Sequence, residues 1–137
     1  MSINQLVYLS QATRKMSLDD LNSIQGVAKT NNAPIDVTGS LFYNGGWFLQ
    51  VLEGPPATLN SLYQKIEKDP RHKNSRILHN EPAKFRTFGR WSMGMTNLEN
   101  RQADKHDELL AVMEAAKADR VIGAASPAAT LLKLFRT

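Results

Sequence analysis

Four polar side chains that could recognise a ligand stand at apolar or helix-ending positions of the sequence: Tyr8, Asn31, Asn32 and Gln50. A phenol and primary amides form hydrogen bonds but are not acids or nucleophiles at neutral pH, so the set suits a planar ligand with imide-like edges. Tyrosine can also be oxidised by a strongly oxidising excited chromophore. The spacing leaves an alternative open, in which Tyr8 and Gln50 satisfy each other in an ordinary core and the Asn pair only ends a helix.

Gln50 stands in the second strand of a predicted hairpin that spans residues 37–54. The turn is predicted at Asn44-Gly45-Gly46, because Asn and Gly accept the positive φ angles of a tight hairpin. By the period-two rule, Phe48, Gln50 and Leu52 share one face of the strand. A buried amide without partners costs about 1–3 kcal/mol, so Gln50 needs a polar neighbour.

The residues before this hairpin predict a strand and a helix. Residues 3–10 are apolar on both faces, as expected of a central strand that is covered on each side. Ser17 and Asp20 have the spacing of a capping box at the start of a helix. That helix is predicted to end near residues 30–33, because Pro34 disfavours helix before it.

The residues after the hairpin predict a second helix and two more strands. Pro55-Pro56 suits the first turn of a helix, which should end at residues 69–72. A fourth strand is predicted at 75–78, with Glu81-Pro82 breaking or bulging it, and a fifth within 85–95. Three side chains of the fifth strand are predicted to project to one face: Trp91, Met93 and Met95.

This order of elements is the split βαβ pattern of α+β, ferredoxin-like folds, extended by one edge strand to a five-stranded sheet. Its two helices pack on one face of the sheet. The first and third strands are central neighbours in such a fold, so we expect Tyr8 and Gln50 to lie side by side.

The C-terminal tail is predicted to cover the other face of the sheet. Apolar residues at 109, 112, 113 and 116 have the spacing of an amphipathic helix. After a break at Gly123 to Ala125, Ser126 can cap and Pro127 can start a short helix. We expect residues 1–98 to form a sensor domain and 99–137 a helical extension of the same structural unit.

Composition and motifs exclude several classes of function. The 137 residues contain no cysteine and carry a net charge of +4, from 17 basic and 13 acidic side chains. No apolar run could span a membrane, and no secretory signal precedes the first strand, so we expect a cytoplasmic protein. The three histidines show no metal-ligand spacing, and neither a phosphate-binding glycine loop nor a GxSxG elbow is present, so neither a metal site nor an enzyme is expected.

Five motifs together resemble the BLUF domain, an FAD-binding blue-light sensor: LVYLSQAT at 6–13, NN at 31–32, VTGSLFYNGGWFLQVLEG at 37–54, DPRH at 69–72 and FGRWSMG at 88–94. The resemblance runs from about Ile3 to Leu98. It implies a ferredoxin-like fold in which the isoalloxazine ring of FAD lies between the two helices, against the sheet.

The resemblance also implies roles for individual residues at the ring. Tyr8 matches the photoactive tyrosine, which donates an electron and then a proton to the excited flavin. Gln50 matches the glutamine that switches its hydrogen bonds between Tyr8 and the flavin. Asn32 and Asn31 match residues that bond polar edges of the ring, and Ile24 one that lies against it.

The resemblance covers further positions around the ring and in the strand after it. Arg71 and His72 match residues near the ring and the ribityl-phosphate arm, although a solvated loop remains an alternative for Arg71. Trp91 and Met93 match the two residues that exchange places near the glutamine in a signalling strand. At position 28, where some family members have a hydroxyl residue, this chain has Ala28.

The resemblance implies that signalling passes in trans to an unidentified effector protein, because no catalytic region follows the sensor. The apolar C-terminal helix further indicates a homo-oligomer or a docked partner. The rival interpretation is a ferredoxin-like module that binds nucleic acid without a chromophore. It requires exposed aromatic side chains in the two central strands, whereas Tyr8, Trp47 and Phe48 are embedded in apolar runs.

Overall fold

A five-stranded mixed sheet forms the centre of the structure, which is a computed structural model describing residues 2–119, 123 and 125–136. The strand order is β4-β1-β3-β2-β5, in which β2 and β5 are parallel and the other neighbours antiparallel. This confirms the predicted α+β fold with an added edge strand beside β2. The strands are β1 (Ile3–Ala12), β2 (Thr38–Asn44), β3 (Trp47–Gly54), β4 (His72–Ala83) and β5 (Gly94–Asn97).

The helices pack in two pairs on opposite faces of the sheet. On one face, buried Leu21 of the first helix and Leu59 of the second join a core with Leu6 of β1. On the other face, Met113 and Leu131 from the two C-terminal helices pack with Val7 of β1. The helices are α1 (Leu18–Asn32), α2 (Pro56–Glu67), α3 (His106–Lys117) and α4 (Pro127–Leu134).

Local sequence signals account for the start of α1 and for the hairpin turn. The Ser17 side chain accepts from the backbone N–H of Asp20, whose carboxylate accepts from the backbone N–H of Ser17, so the predicted capping box is confirmed. Gly45 and Gly46 have φ angles of 54° and 84°, which suit a two-residue hairpin turn between β2 and β3.

Strand β4 corrects one prediction, because Glu81-Pro82 does not break it. The strand runs from His72 to Ala83, and Pro82 pairs with Asn4 of β1. β4 is an edge strand, where proline is tolerated because a nitrogen without hydrogen can face away from the partner. The register irregularities lie elsewhere, where β1 passes from Val7 to Tyr8 and from Leu9 to Gln11.

Strand β5 corrects a second prediction, that Trp91, Met93 and Met95 project to one face. The strand begins only at Gly94, so Trp91 and Met93 precede it. Trp91 is 48% exposed, whereas Met93 is fully buried. The prediction fails because this segment does not follow the period of a strand; the backbone N–H of Gly39 bonds the Trp91 carbonyl oxygen at 3.1 Å, outside any strand ladder.

The C-terminal helices cover the second face of the sheet, as predicted. The apolar residues at 109, 112, 113 and 116 of α3 are buried, as the helical spacing predicted. Helix α4 begins at Pro127, directly after its N-cap residue Ser126. The predicted break at Gly123 to Ala125 lies partly outside the described residues, and the division at residue 98 stays a prediction. Among the described residues, no helix is long and apolar enough to cross a membrane.

Candidate functional site

Tyr8 and Gln50 lie opposite each other in the register of β1 and β3. The Tyr8 hydroxyl donates to Gln50 Oε1, and Gln50 Nε2 donates to Met93 Sδ at 3.2 Å. All three side chains are buried. The strand order predicted the first contact, and the second is made by Met93, which the family resemblance placed near Gln50 without assigning it a hydrogen bond.

A cleft with a cavity volume of about 180 Å³ opens between α1 and α2, and Tyr8 and Gln50 lie at its base. It brings together all seven residues that the family resemblance placed at a ligand. These are Tyr8, Ile24, Asn31, Asn32, Gln50, Arg71 and His72.

The walls of the cleft contain further residues beside the seven named above. Val27 and Ala28 lie between Ile24 and Asn31 on α1, and Lys65 and Ile66 between Leu62 and Asp69 along and just after α2. Both sets have the spacing i, i+3, i+4, i+7, so the two helix faces were present as a signal in the sequence. One wall consists of residues 24, 27, 28 and 31 of α1, and the other of residues 62, 65, 66 and 69 along and just after α2.

The two asparagines occupy different environments at the C-terminal end of α1. Asn32 is buried, and its Nδ2 donates to the backbone oxygen of Ser92 at 3.3 Å. Asn31 lines the cleft but is exposed. Asn32 thus connects the cleft with the segment that leads to Met93.

Arg71 and Asp69 form an ion pair at the edge of the cleft. Arg71 Nη2 lies 2.5 Å from Asp69 Oδ2, and Arg71 Nε lies 3.0 Å from Asp69 Oδ1. Hydrogen bonding to Arg71 lowers the pKa of Asp69, and the same bond raises the pKa of Arg71. Arg71 lines the cleft and is also part-exposed to solvent. Its place is therefore compatible both with a contact to a ligand and with a solvated loop, the two alternatives that the sequence left open.

The aromatic base of the cleft is uncharged near neutral pH. Burial is the main cause that raises the pKa of the Tyr8 phenol, and burial also lowers the pKa of His72. His72 Nδ1 lies 2.8 Å from Ser10 Oγ, and its ring packs 5.0 Å from that of Phe48. Tyr63 packs edge-on to Tyr8, with ring centroids 5.4 Å apart.

A scan against models of protein families matches residues 3–94 to the family described as BLUF, sensors of blue-light using FAD. The chain belongs to the BLUF family. It is 41% identical over 93 residues to the photoactivated adenylate cyclase subunit beta of Euglena longa, a match that covers 67% of this chain and 11% of that protein. It is 33% identical over 112 residues to the blue light- and temperature-regulated antirepressor BluF of Escherichia coli (strain K12), covering 82% of this chain and 27% of that protein.

Solved BLUF structures share the fold over nearly the whole chain. The dark-state structure of BlrB, a BLUF protein, aligns with a TM-score of 0.77 at 27% identity and covers 96% of this chain and 93% of that one. The photo-activated state of BlsA aligns with a TM-score of 0.76 at 29% identity and covers 97% and 91%. By contrast, this BLUF chain spans about a tenth of the length of the cyclase subunits that it matches.

The residues of the cleft fit FAD, the cofactor that the BLUF family uses. Apolar side chains from α1 and α2 can hold a flat ring system, amides at the base can bond its polar edge, and the Lys65 and Arg71 cations suit a phosphate-bearing arm. Val27, which lines the cleft, is 50% exposed. A planar apolar ligand would remove this side chain from water.

The nucleic-acid interpretation is not favoured by the BLUF match or by the exposure of the aromatics. Tyr8 and Phe48 are buried beneath α1 and α2, and Trp47, on the other face, lies under the Lys117 ammonium at 5.2 Å. The described part of both central strands therefore presents no bare aromatic surface for base stacking. The described residues also contain no cluster of three or more His, Asp or Glu side chains suited to a metal ion.

Proposed function

We propose that this chain is a sensor rather than an enzyme, which holds FAD non-covalently in the cleft between α1 and α2 and signals to a separate effector protein. The observation that carries the proposal is the continuous hydrogen-bonded chain from Tyr8 through Gln50 to Met93 at the base of the cleft. Bound FAD would absorb blue light there and supply a strongly oxidising excited state. The remaining steps belong to the protein's own side chains.

Tyr8 is the proposed donor of an electron and a proton. Its hydroxyl proton already points at Gln50 Oε1, so a proton released from the phenol meets an acceptor without rearrangement. Burial raises the pKa of this phenol, which keeps it protonated before illumination. Oxidation of Tyr8 by the excited flavin would make the phenol far more acidic, so loss of the electron and of the proton are coupled. Return of both to Tyr8 would restore the phenol after Gln50 has turned.

Gln50 is the proposed switch, because its amide presents different groups at its two ends. In the observed orientation Oε1 accepts from Tyr8 and Nε2 donates to Met93 Sδ. A turned amide, or its tautomer, would present other groups to Tyr8 and Met93. A carbonyl oxygen cannot donate to the Met93 sulfur, so a turned Gln50 would remove the bond that holds Met93.

The proposed output begins at Met93, which directly precedes β5. Trp91, two residues away, is half-exposed and packs on Phe88 at a centroid distance of 5.9 Å. A change at Gln50 can therefore alter the position of an aromatic side chain at the surface. We infer that the effector, or a second copy of the chain in a homo-oligomer, responds to this change through its differential affinity for the two states.

Absorption spectra of the FAD-loaded protein before and after blue light test this function. We expect a reversible red shift in the wild type, its loss in Tyr8→Phe with FAD still bound, and its retention in Tyr63→Phe. Tyr63 is the matched control, because it packs on Tyr8 but its hydroxyl pairs with Ser75 outside the cleft lining.

Two results would contradict the proposal. A protein that stays colourless when supplied with FAD would refute the cofactor site. A Tyr8→Phe variant that keeps the full light-induced shift would refute the donor role of Tyr8 and leave the fold unaffected.

A further inference from the structure

Glu53 is a fully buried carboxylate near the end of β3, on the sheet face opposite to Gln50. A buried charge is costly unless several donors satisfy it. Nothing in the Tyr8-Gln50-Met93 chain uses this group. Its presence in the sheet therefore requires a separate explanation.

Four hydrogen-bond donors satisfy the two oxygens of Glu53. Gln5 Nε2 and the backbone N–H of Thr87 donate to Oε2 at 2.8 and 2.6 Å. Thr38 Oγ1 and the backbone N–H of Phe88 donate to Oε1 at 3.1 and 2.8 Å. Each carboxylate oxygen thus accepts one side-chain donor from the sheet and one backbone donor from residues 87–88.

Arg86 strengthens the same attachment from the preceding residue. Its Nη1 donates to Thr38 Oγ1 at 2.8 Å and to the backbone oxygen of Glu53 at 3.0 Å. Its Nη2 lies 3.0 Å from Asp36 Oδ2. Residues 86–88 are therefore held on β2 and β3 by charged hydrogen bonds, which are stronger than neutral ones.

Residues 86–88, called the root below, begin the segment that leads to Met93. From Phe88 the chain passes Trp91, whose carbonyl oxygen accepts from the Gly39 N–H, and reaches Met93 five residues later. Gln25 Nε2 of α1 donates to the Met93 carbonyl oxygen at 3.1 Å. The position of the Met93 sulfur is thus determined by its contacts with Gln50 and α1 and by the root at residues 86–88.

We propose that Glu53 is a positioning residue for the photochemical switch, because it anchors the root of the 88–93 segment and so holds Met93 Sδ against Gln50 Nε2. This inference rests on the proposed function of Gln50 and Met93. Loosening the root lowers the cost of displacing Met93, so Gln50 returns to its dark orientation across a lower barrier.

Replacing the Glu53 carboxylate by an amide changes its hydrogen bonds to residues 87–88 but leaves the size of the side chain nearly the same. In Glu53→Gln one of the two oxygen positions becomes an NH₂ group, which cannot accept. Because each position faces a backbone N–H, either Thr87 or Phe88 must lose its acceptor, whichever way the amide turns. Glu99→Gln is the matched control: exposed Glu99 accepts one backbone N–H, from Gly45, and an amide oxygen can still accept it.

The test compares FAD-loaded wild type, Glu53→Gln and Glu99→Gln. We expect Glu53→Gln to bind FAD and show the light-induced shift, but to recover in the dark about fivefold faster, as expected from the loss of one buried hydrogen bond. Hydrogen exchange at residues 87 and 88 should rise about tenfold. Glu99→Gln should match the wild type in recovery and in exchange at these residues.

Thr38→Val tests the same anchor if Glu53→Gln does not fold, because it removes one donor to Glu53 Oε1 and one acceptor for Arg86. It should change recovery in the same direction by a smaller factor. A folded Glu53→Gln, or failing that Thr38→Val, with wild-type recovery would overturn the inference. A wild type without any light-induced change would instead refute the proposed function, so the two failures are distinguishable.

Discussion

His72 shows how burial determines the charge of a single residue at the cleft. Its imidazole bonds Ser10 and packs between the rings of Tyr8 and Phe48. Loss of hydration is the largest influence on this ring and lowers its pKa, while the nearby Asp69 carboxylate acts in the opposite direction. The cleft therefore favours neutral His72, and protonation of this residue works against folding.

The lowered pKa of His72 predicts that stability falls as pH falls. The unfolded chain binds a proton near pH 6.5 and the folded chain only below that, so the unfolded state holds more protons in this interval. The contribution of neutral His72 to the free energy of unfolding is fully present above pH 6.5. It is lost as the pH decreases through the lowered pKa of His72 in the folded state. Urea unfolding between pH 7.5 and 5.5 should show this slope, and His72→Asn should reduce it.

The slope that remains in His72→Asn is expected to come from His79, whose pKa burial also lowers. Asp69 does not contribute in this interval, because its lowered pKa places its titration at more acidic pH. An equal slope in the wild type and in His72→Asn would show that His72 is not held in its neutral form.

At the scale of elements, β2 depends on a close approach to β3. A Cβ atom added at Gly39 would lie 1.9 Å from the backbone oxygen of Val51, a distance that no side chain can occupy. The same glycine donates its N–H to the Trp91 carbonyl oxygen. Gly39 therefore sets both the distance between the two strands and the contact with the segment before β5.

Gly39→Ala should be destabilising, and Gly26→Ala is its matched control. We expect Gly39→Ala to lower the free energy of unfolding by about 1–3 kcal/mol or more, because the strands must separate. Gly26 lies on the exposed side of α1 with nothing within 4 Å of an added Cβ, so Gly26→Ala should raise it by about 0.5–1 kcal/mol. Equilibrium urea unfolding measures both, and a neutral Gly39→Ala would contradict the strand packing described here.

At the scale of the whole molecule, the sheet separates two hydrophobic cores, and one of them lies next to the cleft. The core under α1 and α2 includes Tyr8 at the cleft, whereas the core under α3 and α4 packs apolar side chains such as Leu131 against the sheet. Arg76 of β4 donates to the Ala116 carbonyl oxygen at the C-terminal end of α3, which ties the tail to the sheet edge. The tail therefore contributes to the stability of the sheet on which the cleft is built.

Leu131→Ala should lower the free energy of unfolding by about 2–5 kcal/mol, because the residue is fully buried in the second core. Leu18→Ala is the control for the same change at a residue that is 61% exposed, and should stay within about 0.5 kcal/mol of the wild type. Below its melting temperature, Leu131→Ala should keep the wild-type absorption of bound FAD. Equal effects of the two changes would contradict the packing of α4 on the sheet.

The sequence by itself determined the features that depend on local chain geometry. Alternation placed Gln50 among apolar neighbours on one face of β3, paired glycines predicted the hairpin, and Ser17 with Asp20 predicted the start of α1. The strand order then brought Tyr8 beside Gln50, because a split βαβ fold makes the first and third strands neighbours. Each of these inferences needs only the periods of strands, the chemistry of turns and caps, and the order of the elements along the chain.

Tertiary structure alone decided the course of the segment before β5. Residues 86–93 are held by Glu53, Gly39 and Gln25, which are all more than 30 residues away in the sequence. No repeating pattern connects such distant partners, so periodicity wrongly placed Trp91 and Met93 on one face. Met93 lies inside against Gln50 and Trp91 outside because hydrogen bonds across the fold, rather than local backbone preference, determine that path.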